Sequence, residues 1–289
     1  MKRSVFVTVA IFTVALLLLG ATGCTKLRSR DHLNKGVIAF KNAQYPEAVE
    51  HFQAAVDLDE TFTTARLYLA TAYMSQYIPG AESQENLDMA NHAMDEFNKV
   101  LAGDPQNSIA LASIASLYFH QKKFEEAEEW NMKLISADPD NKEAYYTLGV
   151  IAWTRSFQPR MEARAEMGMK PEDPGPLKDD EIREKLKEDL LPVVDSGLEQ
   201  LQKAVNIDPQ YDDAMAYLNL LHRERADLMD SKVEYDREIE QADNWVDKTL
   251  ETKKMKAAAA SSVDAIGFTE YLAGFFRGSG SYGNSIYTV

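Results

Sequence analysis

Apolar residues along this chain recur with helical spacing. Beyond the first 20 residues, period-2 runs of Val, Ile and Thr are missing, so the body reads as helical. Within it, small and large positions return at fixed offsets. Gly36, Ala48, Phe52 and Ala55 are followed in register by Ala70, Ala93, Phe97 and Val100, then by Ala115, Ala127 and Leu134, and then by Gly149, Gly197, Leu201 and Ala204. Small residues let two helices approach closely, and large ones fill the gap to the next pair. The pattern predicts an all-α stacked solenoid of about five helix pairs.

Two insertions account for every offset. Ala70 and Ala115 are 45 apart, as are Glu60 and Pro105, whereas Gly149 and Asn219 are 70 apart, as are Pro139 and Pro209. Against a period of about 34, these leave excesses of about 11 and 36 residues. The motifs resemble the tetratricopeptide repeat family, whose signature runs W-x₂-L-G-x₂-Y, then A-x₃-F, then P. Here they read Ala48-x₃-Phe52, Leu69-Ala70-x₂-Tyr73, Ala93-x₃-Phe97, Ile114-Ala115-x₂-Tyr118, Tyr145-x₂-Leu148-Gly149, Gly197-x₃-Leu201 and Met215-x₂-Leu218-Asn219. Lys35 and Glu60 stand where the family has Leu and Pro, and Trp130 sits beside a usual Phe place. The resemblance implies a right-handed superhelical solenoid over 29–254, with repeats at about 29–62, 63–107, 108–141, 142–211 and 212–254.

The first insertion, about Ser75 to Asn86, carries the turn signal Tyr77-Ile78-Pro79-Gly80, with Ser83 or Asn86 as a cap for the next helix. The second, about Arg155 to Pro192, contains Pro159, Pro171, Pro174, Gly175 and Pro176, which predict an irregular first half. Asp179-Asp180-Glu181 then opens a charged helix, acids first as the helix dipole prefers. Ser231-x-x-Glu234 reads as a capping box for a closing helix to about Lys254. Its apolar face would be Ile239, Ala242, Val246 and Leu250, and Glu238, Glu240, Asp243 and Lys248 would form the polar outer face that a solenoid end requires. Residues 255–289 read as a flexible tail whose cluster of Phe268, Tyr271, Leu272, Phe275 and Phe276 is expected to pack onto its own chain, the alternatives being contact with lipid or with a partner.

The N-terminus has a different character. Lys2 and Arg3 precede an apolar run from Val5 to Leu19 and the small residues 20–23, which together describe an export signal over 1–23. Cys24 follows, and as the only cysteine it has no intramolecular disulfide partner. Its setting resembles the lipobox of bacterial lipoproteins, with Ala21 where the family favours Leu. The resemblance implies a lipidated Cys24, a linker over 24–28 and a place on the periplasmic face of the outer membrane.

The formal charge of −15 becomes −17 without Lys2 and Arg3, and an acidic body repels phosphate backbones, which argues against a nucleic-acid partner. Basic or apolar protein surfaces suit it better. Chemical motifs are scarce. Gly278-Ser279-Gly280-Ser281-Tyr282-Gly283 matches G-x-G-x-x-G, but it follows no strand, opens no helix and has no acidic residue downstream. The five histidines form no H-x-x-x-H pair, and Asp138-Pro139-Asp140 lacks the Gly and Glu of a calcium loop. No catalytic, cofactor or metal residue is expected.

By the family resemblance, peptides bind the concave surface formed by the first helix of each repeat. The matching positions are Phe40, Tyr68, Met74, Phe119, Tyr146, Trp153 and Tyr217. Leu33 and Val37 stand where carboxylate-clamping members carry Lys and Asn, so an apolar or amphipathic segment fits better. The expectation is a non-enzymatic, envelope-anchored scaffold that binds a protein or peptide, similar to lipoproteins of envelope, pilus or secretion assembly. The alternatives are a soluble periplasmic chaperone, or an enzyme with a site in the 155–192 insertion.

Overall fold

A computed structural model of the chain describes residues 25–277, with side chains as far as residue 259. The expected export signal, Cys24 and the Gly-rich stretch from Gly278 lie outside the described residues. Ten helices run through the described part: α1 (residues 25–41), α2 (Tyr45–Leu58), α3 (Thr63–Met74), α4 (Gln84–Gly103), α5 (Ser108–His120), α6 (Phe124–Ala137), α7 (Lys142–Glu166), α8 (Asp180–Ile207), α9 (Asp212–Asp227) and α10 (Lys232–Arg277). The chain divides into two compact units, Met1–Ala144 and Tyr145–Val289.

In the first unit, one core joins Ala39, Ala48, Phe52, Ala55, Val56, Ala65, Leu69 and Ala72. A second joins Ala70, Ala90, Ala93, Phe97, Val100, Ala110, Ile114 and Leu117. The recurring anchors of the sequence are therefore the seams of the helix pairs. Gly36 shows why one of them is small, since a Cβ there would sit 2.5 Å from the Phe52 ring. Where the repeat would place another Phe after Ala127, Asn131 is buried instead, its amide donating to the Ala127 carbonyl at 2.7 Å.

The turns also repeat. Ala43 after α1 and Lys122 after α5 both adopt left-handed backbone, with φ of 57° and 59°. Each is followed by an amide reaching back to the helix, Gln44 to the Ala39 carbonyl at 2.9 Å and Lys123 to the Tyr118 carbonyl at 3.0 Å. Between pairs, Asp104 and Asp138 accept backbone bonds from Asn107 and Asn141 at 3.1 and 3.2 Å. Those asparagines then cap α5 and α7 by accepting from the Ala110 and Ala144 amides at 3.1 and 3.0 Å. In the first insertion Ser83 caps α4, accepting from the Asn86 amide. Asn86 holds the loop itself: its side chain accepts from the Ile78 amide at 2.7 Å and donates to the Ile78 and Ala81 carbonyls at 2.9 and 2.8 Å.

In the second unit α7 packs on α8 through Gly149, where a Cβ would collide with the buried Leu201. The expected irregular first half of the 155–192 insertion is largely absent. Helix α7 continues through Pro159 to Glu166, and α8 runs from Asp180 through Pro192, so only residues 167–179 are non-helical. An interior proline costs a helix about 3 kcal/mol, and here the burial of Ala163 and Arg164 beyond it favours continuation. Asp179 caps α8 by accepting from the Glu181 and Ile182 amides, both at 3.0 Å.

Helix α10 corrects two further expectations. Ser231 caps the helix, accepting from the Glu234 amide at 3.2 Å, and its hydroxyl donates to the Glu234 carboxylate at 2.9 Å. The buried stripe, however, is Glu238, Ala242, Trp245, Thr249 and Thr252, whereas Leu250 is 51% exposed. Glu238 therefore belongs to the packed face, where His222 and Arg225 of α9 meet it at 2.8 and 2.5 Å. The helix also continues past Lys254 to Arg277, carried through residues 257–260 by alanine, the strongest helix former.

Candidate functional site

Three of the expected groove residues converge in the second unit. Tyr146 and Trp153 are seven positions apart on α7, hence on one face, and Tyr217 approaches from α9. The Tyr217 ring meets Tyr146 edge-on at 5.5 Å and Trp153 at 5.6 Å. Two residues that the sequence reading did not single out complete the group. Tyr211, just before α9, lies 5.3 Å from Tyr146, and Phe157, one turn beyond Trp153, lies 5.0 Å from it. Phe157 was legible from its spacing to Trp153. Tyr211 was not, because it sits in a turn that closes only in three dimensions. The rings are half-buried, and Phe157 is 36% exposed. Burial first, with Tyr217 and Asp213 beside it, pushes the Tyr146 hydroxyl up to about 12, so it stays protonated at neutral pH and keeps a hydrogen to donate.

The other four expected residues lie in the first unit. Phe40 meets Tyr45 edge-on at 5.3 Å, and Tyr68, 38% exposed, stacks on the buried Phe52 at 5.3 Å. Met74 packs against the core shared by α3, α4 and α5, and Phe119 meets Phe124 edge-on at 5.9 Å. These contacts hold helix pairs together and still leave part of each side chain at the surface.

The aromatic group continues into a buried ion cluster. Arg160 lies over the Phe157 ring, 5.8 Å from its centre. Its guanidinium grips Glu224 through two bonds, 2.5 and 3.0 Å, and reaches Asp227 at 2.7 Å. Arg164 donates to both Asp227 oxygens at 2.8 Å and to the Lys170 and Asp173 carbonyls of the 167–179 segment. Side chains of Arg164, Glu224 and Asp227 are each 3% exposed. Burial raises the Glu224 carboxyl, an effect Arg160 only partly offsets. Burial works against the Arg160 charge too, but Glu224 and Asp227 raise its pKa overall. A small core of Ala163, Met169, Leu177, Leu190 and Leu228 lies in the same region. Residues 167–179 are thus a folded part of the unit, and Arg160 and Arg164 are committed to holding it. Among the described residues, no three His, Cys, Asp or Glu side chains are grouped as metal ligands.

Paired helices with small-residue seams and repeating Asp-Asn turns define a tetratricopeptide-type repeat fold. Residues 88–150 of the chain match the tetratricopeptide repeat family. Among curated proteins, Sperm-associated antigen 1 of Rattus norvegicus is 33% identical over 117 residues, 40% of this chain and 12% of that protein. The Mus musculus counterpart is 32% identical over the same length. The chain therefore spans about an eighth of these relatives, 12% of each. Among solved structures, MamA 41-end from Desulfovibrio magneticus RS-1 has a TM-score of 0.52 at 16% identity, covering 79% of this chain and 96% of that one. The MamA RS-1 ArsTM double mutant gives 0.54 at 16% identity, covering 80% and 97%. At such identities the likeness is one of fold.

Proposed function

We propose that this chain is a non-enzymatic scaffold, anchored to the bacterial cell envelope through a lipid on Cys24, that captures a partner protein or peptide on the aromatic surfaces of its repeats. The observation that carries the reading is the half-buried ring group of Tyr146, Trp153, Tyr217, Tyr211 and Phe157. Aromatic side chains held rigid by their neighbours provide large contact area at little entropic cost, and they dominate binding energy where they occur at interfaces. The repeat fold supports the same reading, because helix pairs offer extended surfaces and Arg160 and Arg164 of the insertion are taken up in ion pairs. The partner's chemistry would be apolar or amphipathic, and the machine would be one of envelope, pilus or secretion assembly.

The test is affinity isolation with crosslinking from membranes. Trp153→Ala combined with Phe119→Ala is expected to lose at least tenfold in partner recovery while far-ultraviolet circular dichroism is retained. Unchanged recovery removes the aromatic surface from the reading. Anchoring is tested separately: Cys24→Ala shifts the protein from membrane to soluble fractions, and persistence in membranes refutes the lipid. If wild type is itself soluble in the periplasm, the chaperone alternative replaces the anchored scaffold.

A further inference from the structure

His32 and His51 are 19 positions apart in sequence but neighbours across the α1–α2 hairpin. Their ring centres are 5.6 Å apart, with the planes inclined at 53°. Both side chains are half-buried, and His32 Nδ1 is sealed from solvent without a hydrogen bond. A buried nitrogen with nothing to bind needs a physical explanation. Asp31, whose main partner is Lys35 at 2.7 Å, adds negative potential next to both imidazoles.

The spacing agrees with one bridging ion. An imidazole nitrogen binds Zn²⁺ at about 2.0–2.1 Å, which puts each ring centre about 3.2 Å from the metal and two rings on a tetrahedral ion about 5–6 Å apart. We propose that His32 and His51 form a two-imidazole site for a late first-row divalent metal ion, which clamps α1 to α2. No third His, Cys, Asp or Glu side chain completes a group there among the described residues, so the two imidazoles are the ligands of these types that the chain supplies. Neutral imidazole selects this class of metal over Mg²⁺ or Ca²⁺, and Cu²⁺ binds more strongly than Zn²⁺. An ion bound only by the folded chain stabilises the first helix pair by mass action.

The test uses the full-length chain in detergent, with Cys24→Ala removing the competing thiol. Titration with Zn²⁺ and with Cu²⁺ is followed by calorimetry, and the Cu²⁺ form by electron paramagnetic resonance. The expected result is one ion per chain, a resonance spectrum showing two imidazole nitrogens, and a raised unfolding temperature. His32→Ala and His51→Ala each weaken binding at least tenfold, while His92→Ala, on α4, does not. His51→Gln, which keeps a polar side chain there, provides a second variant if alanine disturbs the fold. Absence of binding overturns the proposal, and so does binding unaffected by any of the His32 and His51 variants, which would mark an adventitious ion elsewhere.

Discussion

Replacing Arg164 with Met tests whether the buried ion cluster holds the 167–179 segment in place. Methionine keeps much of the aliphatic stem but removes a guanidinium that donates twice to Asp227 at 2.8 Å and to two carbonyls of the segment. Breaking a buried pair from one side costs about 3–5 kcal/mol, because the remaining charge stays buried without its partner. Asp227 would keep Arg160 at 2.7 Å, which places the expected loss near the lower end, about 3 kcal/mol. Urea unfolding gives the stability change, and hydrogen exchange over residues 167–179 reports whether the segment loosens first. Asp227→Asn alone and with Arg164→Met completes a double-mutant cycle, in which the two losses should fall well short of adding. A loss below about 1 kcal/mol with unchanged amide protection would show that the segment is held by its apolar contacts alone, contrary to the usual behaviour of a broken buried pair.

The remaining predictions concern packing and pH. Gly149→Ala puts a Cβ within 3 Å of three atoms of the Leu201 side chain, and overpacking of this kind costs about 1–3 kcal/mol by chemical denaturation. Gly103→Ala meets nothing within 4 Å and should gain about 0.4–1 kcal/mol, so equal effects at the two sites would contradict the seam argument. For Glu238, burial raises the carboxyl but the His222 hydrogen bond and the Arg225 charge outweigh it, and the net shift is downward from 4.5. A depressed carboxyl adds stability above its unfolded value that is lost as pH falls through its folded value. Thermal unfolding should therefore show Glu238→Gln with a shallower decline than wild type on acidification below about pH 4.5, and superimposable slopes would refute the assignment.

Much of the fold was legible in the chain because helix-pair packing leaves a linear trace. Ala48, Phe52, Ala93, Phe97, Leu201 and Ala204 are each 0% exposed, and each was identifiable from spacing alone. Side-chain volume at a seam is a local requirement that recurs with every pair, so it survives in sequence as a period. The Asp104-Asn107 and Asp138-Asn141 turns carry the same period and were overlooked, since the reading followed apolar positions. Helix α10 misled for a related reason. Its apolar residues Ile239, Val246 and Leu250 suggested one face, but α9 presents His222 and Arg225, which draw Glu238 inward instead.

What the sequence by itself determined is the all-α class, the pairing of helices and the starts of several of them, such as those capped by Ser83, Asp179 and Ser231, because these depend on contacts within a pair or on the backbone preferences of single residues. Tertiary structure alone decided which chemical groups meet. It let α7 run through Pro159, joined Arg160 and Arg164 to acids more than 60 positions away, gathered five rings into one surface and set His32 beside His51. Such contacts form between residues whose separation in sequence has no fixed relation to distance, and the energy that favours them, the pairing of charges already buried, exists only once the surrounding helices have excluded water.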